Sequence, residues 1–145
     1  MKKTLFVIVL AAMASGCGEK VVEVSLVDAC SPANADKVVV TSGYLADKAG
    51  TGVLCTNPGT SDRPTCGYAV LTSPDGLSAF AAFIDQGIGK NKGEKPAAGY
   101  KNDDIKIRDD KGDVISLSDK VKLTGKMTYL SELRRCTMTV DKIER

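Results

Sequence analysis

The chain has 145 residues, 43% apolar and 26% charged, with four tyrosines, three phenylalanines and no tryptophan, enough for one domain with a modest core. Its formal net charge of +2, from 20 basic and 18 acidic residues, falls short of the concentrated positive field that polyanion binding needs. The absence of histidine excludes a Ser-His-acid arrangement outright.

In chain order, Met1, Lys2 and Lys3 give a basic start, Leu5 to Ala12 is an apolar run, and Ala14, Ser15 and Gly16 are small residues before Cys17. That layout reads as a secretory signal, and the run is too short to span a bilayer. Its ending resembles the lipobox of bacterial lipoproteins, with Ala14 where the family usually has leucine. The resemblance implies that Cys17 is acylated and becomes the first residue of a chain held to the membrane by a lipid anchor. Gly18 stands where an aspartate is associated with inner-membrane retention, which implies a cell-envelope location at the outer membrane, facing the periplasm. Residues 1–16 are then the signal, 17–20 a short lipidated tether and 21–145 a single domain. Two of the 20 basic residues, Lys2 and Lys3, leave with the signal, so 18 basic face 18 acidic residues.

Val21, Val22, Val24, Leu26 and Val27 predict a strand that adds to the main sheet, and Ser31 to Asp36 a turn or short loop. Val38 to Leu45 is the next strand, in which Gly43 predicts a bulge or bend. Asp47 to Gly52 reads as a turn, and Val53 to Thr56 and Gly67 to Thr72 as shorter strands. Ser73 to Gly76 turns the chain into one short helix over 77–86, because Leu77, Phe80, Ala81 and Ile84 share one helical face and Gly87 supplies a stop. Gly87 to Asp104 reads as a solvated loop. Ile105, Ile107, Val114, Ile115 and Leu117 return to sheet around a turn at Asp109 to Gly112.

The most regular stretch is the last. Val121, Leu123, Gly125, Met127 and Tyr129 alternate with polar residues, and after a polar break Cys136, Met138 and Val140 do the same. Period two over two runs predicts an antiparallel hairpin with one wet face, carrying Lys122, Lys126, Thr137 and Thr139.

Setting Cys17 aside, Cys30, Cys55, Cys66 and Cys136 form an even set in an oxidising compartment, with three possible pairings. Cys55 and Cys66 enclose a loop rich in proline and glycine, which favours pairing them locally. Cys30 would then tie the N-terminal segment to Cys136 on the last strand. A four-cysteine metal site fits poorly with cysteines so far apart and no histidine, and neither a metal nor another cofactor is expected.

The phrases DKVKLTGKMTYL and CTMTVDKIE, the latter ending in Ile143 and Glu144, resemble the fourth and fifth strands of OB-fold domains of the bacterial stress-protein and anticodon-binding-like groups. A first strand ending near Gly43 and a helix after the third strand fit the same pattern. The resemblance implies a mainly β fold: a small five-stranded OB-like barrel with one short helix and an additional N-terminal strand. Residues 105–117 are either its central hairpin or an added one. It also implies a ligand face on strands two and three, for which Tyr44, Tyr68, Lys106 and Arg108 are the candidates. Stacking aromatics and basic groups are too few there for nucleic acid to be expected.

Catalysis finds little support. Asp75 and Asp85 need not face one space, and the spacing of Asp109, Asp110, Gly112 and Asp113 suits a hairpin turn better than a calcium loop. Lys90, Lys92, Lys95, Lys101 and the Arg134-Arg135 pair would suit anionic lipid or cell-wall polymer, or a surface balanced by neighbouring acids. The expectation is a non-catalytic envelope lipoprotein that binds a protein or glycan partner. The alternatives are a structural accessory of an envelope complex and, less favoured, a single-stranded nucleic-acid binder.

Overall fold

The computed structural model describes residues 20–46, 54–56, 65–67, 69–94, 104, 106–116 and 118–145. Among the described residues, ten strands, one α-helical turn and one 3-10 turn follow in chain order: β1 Val22–Glu23, α1 Leu26–Ala29, the 3-10 turn Pro32–Asn34, β2 Val38–Ala46, β3 Leu54–Thr56, β4 Thr65–Gly67, β5 Ala69–Thr72, β6 Ala79–Phe83, β7 Ile107–Arg108, β8 Val114–Ile115, β9 Lys120–Leu130 and β10 Arg135–Glu144.

Five of them close a ring, β2-β5-β6-β10-β9 and back to β2. Numbered one to five along the chain, the ring strands run 1-2-3-5-4-1, so strands 4-1-2-3 form a Greek key and the fifth closes it. The β6–β10 pair is parallel, and the other four ring pairs are antiparallel. A five-stranded Greek-key barrel of this kind is OB-like. β1 lies outside the ring, parallel to β2. β3–β4 and β7–β8 are separate two-stranded sheets, so the hairpin around residue 110 is an addition and no part of the ring.

Alternation places the core as the residue pattern predicts. Val39, Leu45, Val121, Leu123, Met127, Cys136, Met138 and Val140 are buried, and Tyr129 packs partly exposed against them. The register shifts between Val140 and Lys142, so Asp141 goes unpaired and Ile143 turns inward in place of Lys142. This bulge keeps a lysine out of the core and an isoleucine in it.

Four expectations need correction. Residues 77–86 are not helical: Phe80, Ala82 and Ile84 are buried while Ala79 is exposed, which is period two, and Leu77 is 86% exposed. The stretch is the third ring strand, bonded to β5 on one edge and β10 on the other, and a ladder on both edges outweighs a helical face one stripe wide. Gly43 makes no bulge, since pairing with β9 runs unbroken from Val38 to Tyr44. Its place follows from close approach, because a Cβ there would lie 2.8 Å from Leu71 Cγ and 2.9 Å from the Thr72 carbonyl oxygen. The segment after Gly87 is also not simply solvated. Gly87 N–H donates to Gly93 O and Gly93 N–H to Asp85 O, both at 2.9 Å, and Gly93 bridges Ile107.

The strand expected over Val21 to Val27 stops at Glu23. Ser25 then caps α1, its hydroxyl oxygen accepting from the Asp28 N–H at 3.2 Å, and Leu26 and Ala29 turn inward. α1 ends at Cys30, which is disulfide-bonded to Cys136 with Cα atoms 5.5 Å apart. The expected tie between the N-terminal segment and the last strand is therefore present.

Candidate functional site

One edge of β2 is shared by two partners. β1 pairs with Val39 and Val40, β5 pairs with Tyr44 to Ala46, and Thr41, Ser42 and Gly43 between them have neither strand alongside. The gap opens because β1 leaves the ladder at Val24, whose N–H donates to Val40 O at 3.0 Å, and the chain then turns into α1. On the other side β5 ends in the turn at Ser73 and Pro74. Asp75 holds that turn by accepting from the Leu77 N–H at 3.0 Å and from the Ser73 hydroxyl. The Ser73 hydrogen bond, then that of Leu77, keeps the Asp75 carboxyl below its ordinary range.

Over this gap lies a cleft of about 330 Å³, lined by Glu23, Ser25, Thr41, Ser42, Tyr44 and Lys120 among others. A second, shallower one of about 280 Å³ continues past Tyr44 toward Ala46 and Ser118, and both share Tyr44, Ser73 and Pro74. Tyr44 is thus the partition between two adjoining depressions. Opposite it across the ladder stands Lys120, and Ser42 is paired with Lys122. Thr41 is 1% exposed and its Oγ1 has no hydrogen-bond partner. A buried hydroxyl left unpaired is a cost that a bound polar group or water would remove. Glu23 is the one carboxylate lining the larger cleft, so no acid pair is present there for general acid–base work. The arrangement offers an aromatic surface, a cation, an anion and several hydroxyls, which is chemistry for recognition.

Of the residues expected on a ligand face, Tyr44 alone lines this cleft. Tyr68 lies outside the described residues. Lys106 is exposed and next to β7, away from the ring. Arg108 is committed: its Nε and Nη2 donate to Glu94 Oε1 at 2.9 and 2.7 Å, and its Nη1 donates to Gly112 O at 2.9 Å. The basic pair thus belongs to the added hairpin, and ring strands two and three are β5 and β6. The sequence reading missed Glu23, Ser42 and Lys120. A signal for the gap was available in Ser25 and Asp28, a capping pattern that ends a strand and starts a helix. Cys55 and Cys66 stand directly opposite each other in the β3–β4 register, the placement that local pairing requires.

The turn at Asp109 is structural. The Asp109 side chain is buried, and its Oδ1 accepts from the N–H groups of Lys111, Gly112 and Asp113 at 2.9 to 3.0 Å. Gly112 takes φ +98°, in the left-handed region expected for it. Burial pushes the Asp109 carboxyl up, but the three backbone donors and Arg145 outweigh it and hold it below the ordinary value of 3.8. A carboxylate with a lowered folded pKa stabilises above its unfolded value, and that contribution is lost as pH falls below 3.8 and through the folded value. Asp109→Ala is expected to lower the melting midpoint at pH 7 by roughly 5–10 °C and to flatten the acid limb of the stability curve. Melting followed by circular dichroism between pH 2 and 7 checks both, and an unchanged acid limb would remove Asp109 from the explanation.

Fold and cleft together define a small OB-like β-barrel with a polar-lined cleft over the uncovered edge of its first ring strand. No known protein family, curated protein or solved structure matches the chain. Among the described residues, no helix is long and apolar enough to cross a membrane, and no three acidic or cysteine side chains are grouped to hold a metal ion.

Proposed function

We propose that the protein is a non-catalytic envelope lipoprotein, anchored through Cys17 in the outer membrane and facing the periplasm, that binds a protein or glycan partner in the Tyr44 cleft. The observation that carries this reading is the cleft over Thr41 to Gly43, where Tyr44, Glu23, Ser42 and Lys120 converge beside an unpaired buried hydroxyl. An aromatic face bordered by a few convergent polar groups suits a sugar ring or one or two residues of an extended peptide. The Lys2-Lys3 start, the apolar run and Cys17 support the anchor, and the Cys30–Cys136 bond supports an oxidising compartment.

The test is retention of envelope glycans and of crosslinked envelope proteins by the purified protein, with and without Tyr44→Ala. Loss of the aromatic wall is expected to weaken binding by about tenfold or more, at unchanged thermal stability. A retained partner that binds Tyr44→Ala as well as the unaltered protein would place recognition elsewhere.

A further inference from the structure

Leu130 at the end of β9 is 41% exposed, and Leu133 in the turn that joins β9 to β10 is 63% exposed. Arg134 and Arg135 are exposed beside them, and Glu132 is the one acid in the turn. Two exposed leucines at the tip of a hairpin gain nothing from water, and two arginines beside them add positive charge, so the question is what this end of the barrel meets.

Chain direction answers it. β1 runs parallel to β2 with Val22 beside Val39, and Val39 lies opposite Gly125 of β9. Going back from Val22 to Lys20 therefore leads past Val38 and Lys37, alongside Lys126 and Met127, toward the β9–β10 turn. The Met127 N–H donates to Lys37 O at 3.0 Å, and the Asp36 N–H donates to Met127 O at 2.9 Å, which fixes this alignment. Val21, 54% exposed, and Lys20 lie at the same end. Two residues, Gly18 and Glu19, separate Lys20 from Cys17, so the three steps between them reach about 11 Å at most. A lipid on Cys17 would thus enter the bilayer close to the end of the barrel that carries the leucines.

Resting on the anchored reading above, we infer that the β9–β10 turn docks on an anionic lipid surface. Leu130 and Leu133 enter the boundary between headgroups and acyl chains, and Arg134 and Arg135 meet lipid phosphates. The turn is the second attachment that fixes how the anchored barrel stands.

The chain has no tryptophan, so a single introduced indole reports one position without background. L133W places it in the turn. I88W places it near the opposite end: Ile88 is 91% exposed and three residues before Asn91, whose Oδ1 accepts from the Ile143 N–H near the end of β10. The full protein, purified from membranes, is reconstituted into phosphatidylethanolamine–phosphatidylglycerol vesicles with brominated acyl chains. The expected result is a blue-shifted L133W emission quenched to about half, an unquenched I88W, and loss of the L133W quenching when R134E and R135E are added at unchanged co-flotation. In the unaltered protein, tryptic cleavage at Arg134 and Arg135 is expected to slow on vesicles relative to detergent, a readout independent of the substitutions. Co-flotation with both indoles unquenched and no protection overturns the docking and leaves the anchor standing. Failure to co-float overturns both. A response of the L133W emission to a single-stranded oligonucleotide and not to vesicles would assign the turn to nucleic acid and overturn the proposal.

Discussion

Replacing Cys30 and Cys136 by serine together is expected to lower the unfolding free energy by about 3–5 kcal/mol. The bond spans a sequence separation of 106, so in the unfolded chain it closes a loop containing most of the domain. In the chain-entropy view, a closure of about 100 residues removes about 4.7 kcal/mol of unfolded-state freedom, and strain in the folded state subtracts from that. The Cα separation of 5.5 Å lies within the ordinary disulfide range. The folded state loses something as well. α1 is a single turn that cannot persist alone; its Leu26 and Ala29 are buried, and the bond from Cys30 at its C-terminus ties it to β10. Against a total of roughly 5–15 kcal/mol for a domain of this kind, the change decides whether the protein survives reducing conditions. Denaturant unfolding of the oxidised protein and of the double variant gives the difference directly. A bond between Cys55 and Cys66 would enclose a far shorter loop, so its removal would cost less. A midpoint that does not move in the Cys30/Cys136 variant would show that packing alone holds the N-terminal segment.

The long hairpin was legible because Val121 to Met127 and Cys136 to Val140 each alternate over several residues, and period two with one wet face has few other readings. The same rule exposed the limit of the sequence at residues 77–86. Phe80 and Ile84 are four apart and satisfy a helical face and a strand face equally, so the local pattern cannot choose. What chose was the pairing of β6 with β5 and with β10, more than 50 residues away, which no window of sequence contains. The bulge at Asp141 was hidden for a similar reason, since its effect is to turn Ile143 inward after the alternation has ended. At the cleft, Tyr44 stood out as an aromatic on a strand. Its companions did not, because Glu23 and Lys120 are ordinary surface residues until β1 and β9, on opposite edges of β2, bring them to one cleft. Lys106 and Arg108 were candidates because residues 105–117 could be read as the central hairpin of an OB-like barrel, whose strands two and three carry the ligand face. Arg108 spends its donors on Glu94 and Gly112 instead.

Gly125→Ala is expected to be the most damaging small substitution in the barrel, costing about 3 kcal/mol or more. Gly125 sits where β9 is held on both edges, opposite Val39 of β2 and Val140 of β10. A Cβ there would overlap the Thr139 carbonyl oxygen and lie 2.9 Å from both the Thr139 carbonyl carbon and Met138 Cγ. Met138 could shift its side chain, but the Thr139 carbonyl is main chain in the pairing that closes the ring, and β9 cannot back away without leaving β2. Gly43→Ala meets a softer obstacle on one side, Leu71 Cγ at 2.8 Å, and a main-chain one on the other, Thr72 O at 2.9 Å, so a smaller loss is expected. Gly76 is the control. It has φ +72° and nothing within 4 Å, so alanine there meets only local strain, on the order of 1 kcal/mol. The expected order of destabilisation, read from denaturant midpoints, is Gly125 above Gly43 above Gly76. If Gly125→Ala proved no worse than Gly76→Ala, β9 and β10 would have to approach less closely than the closed ring requires.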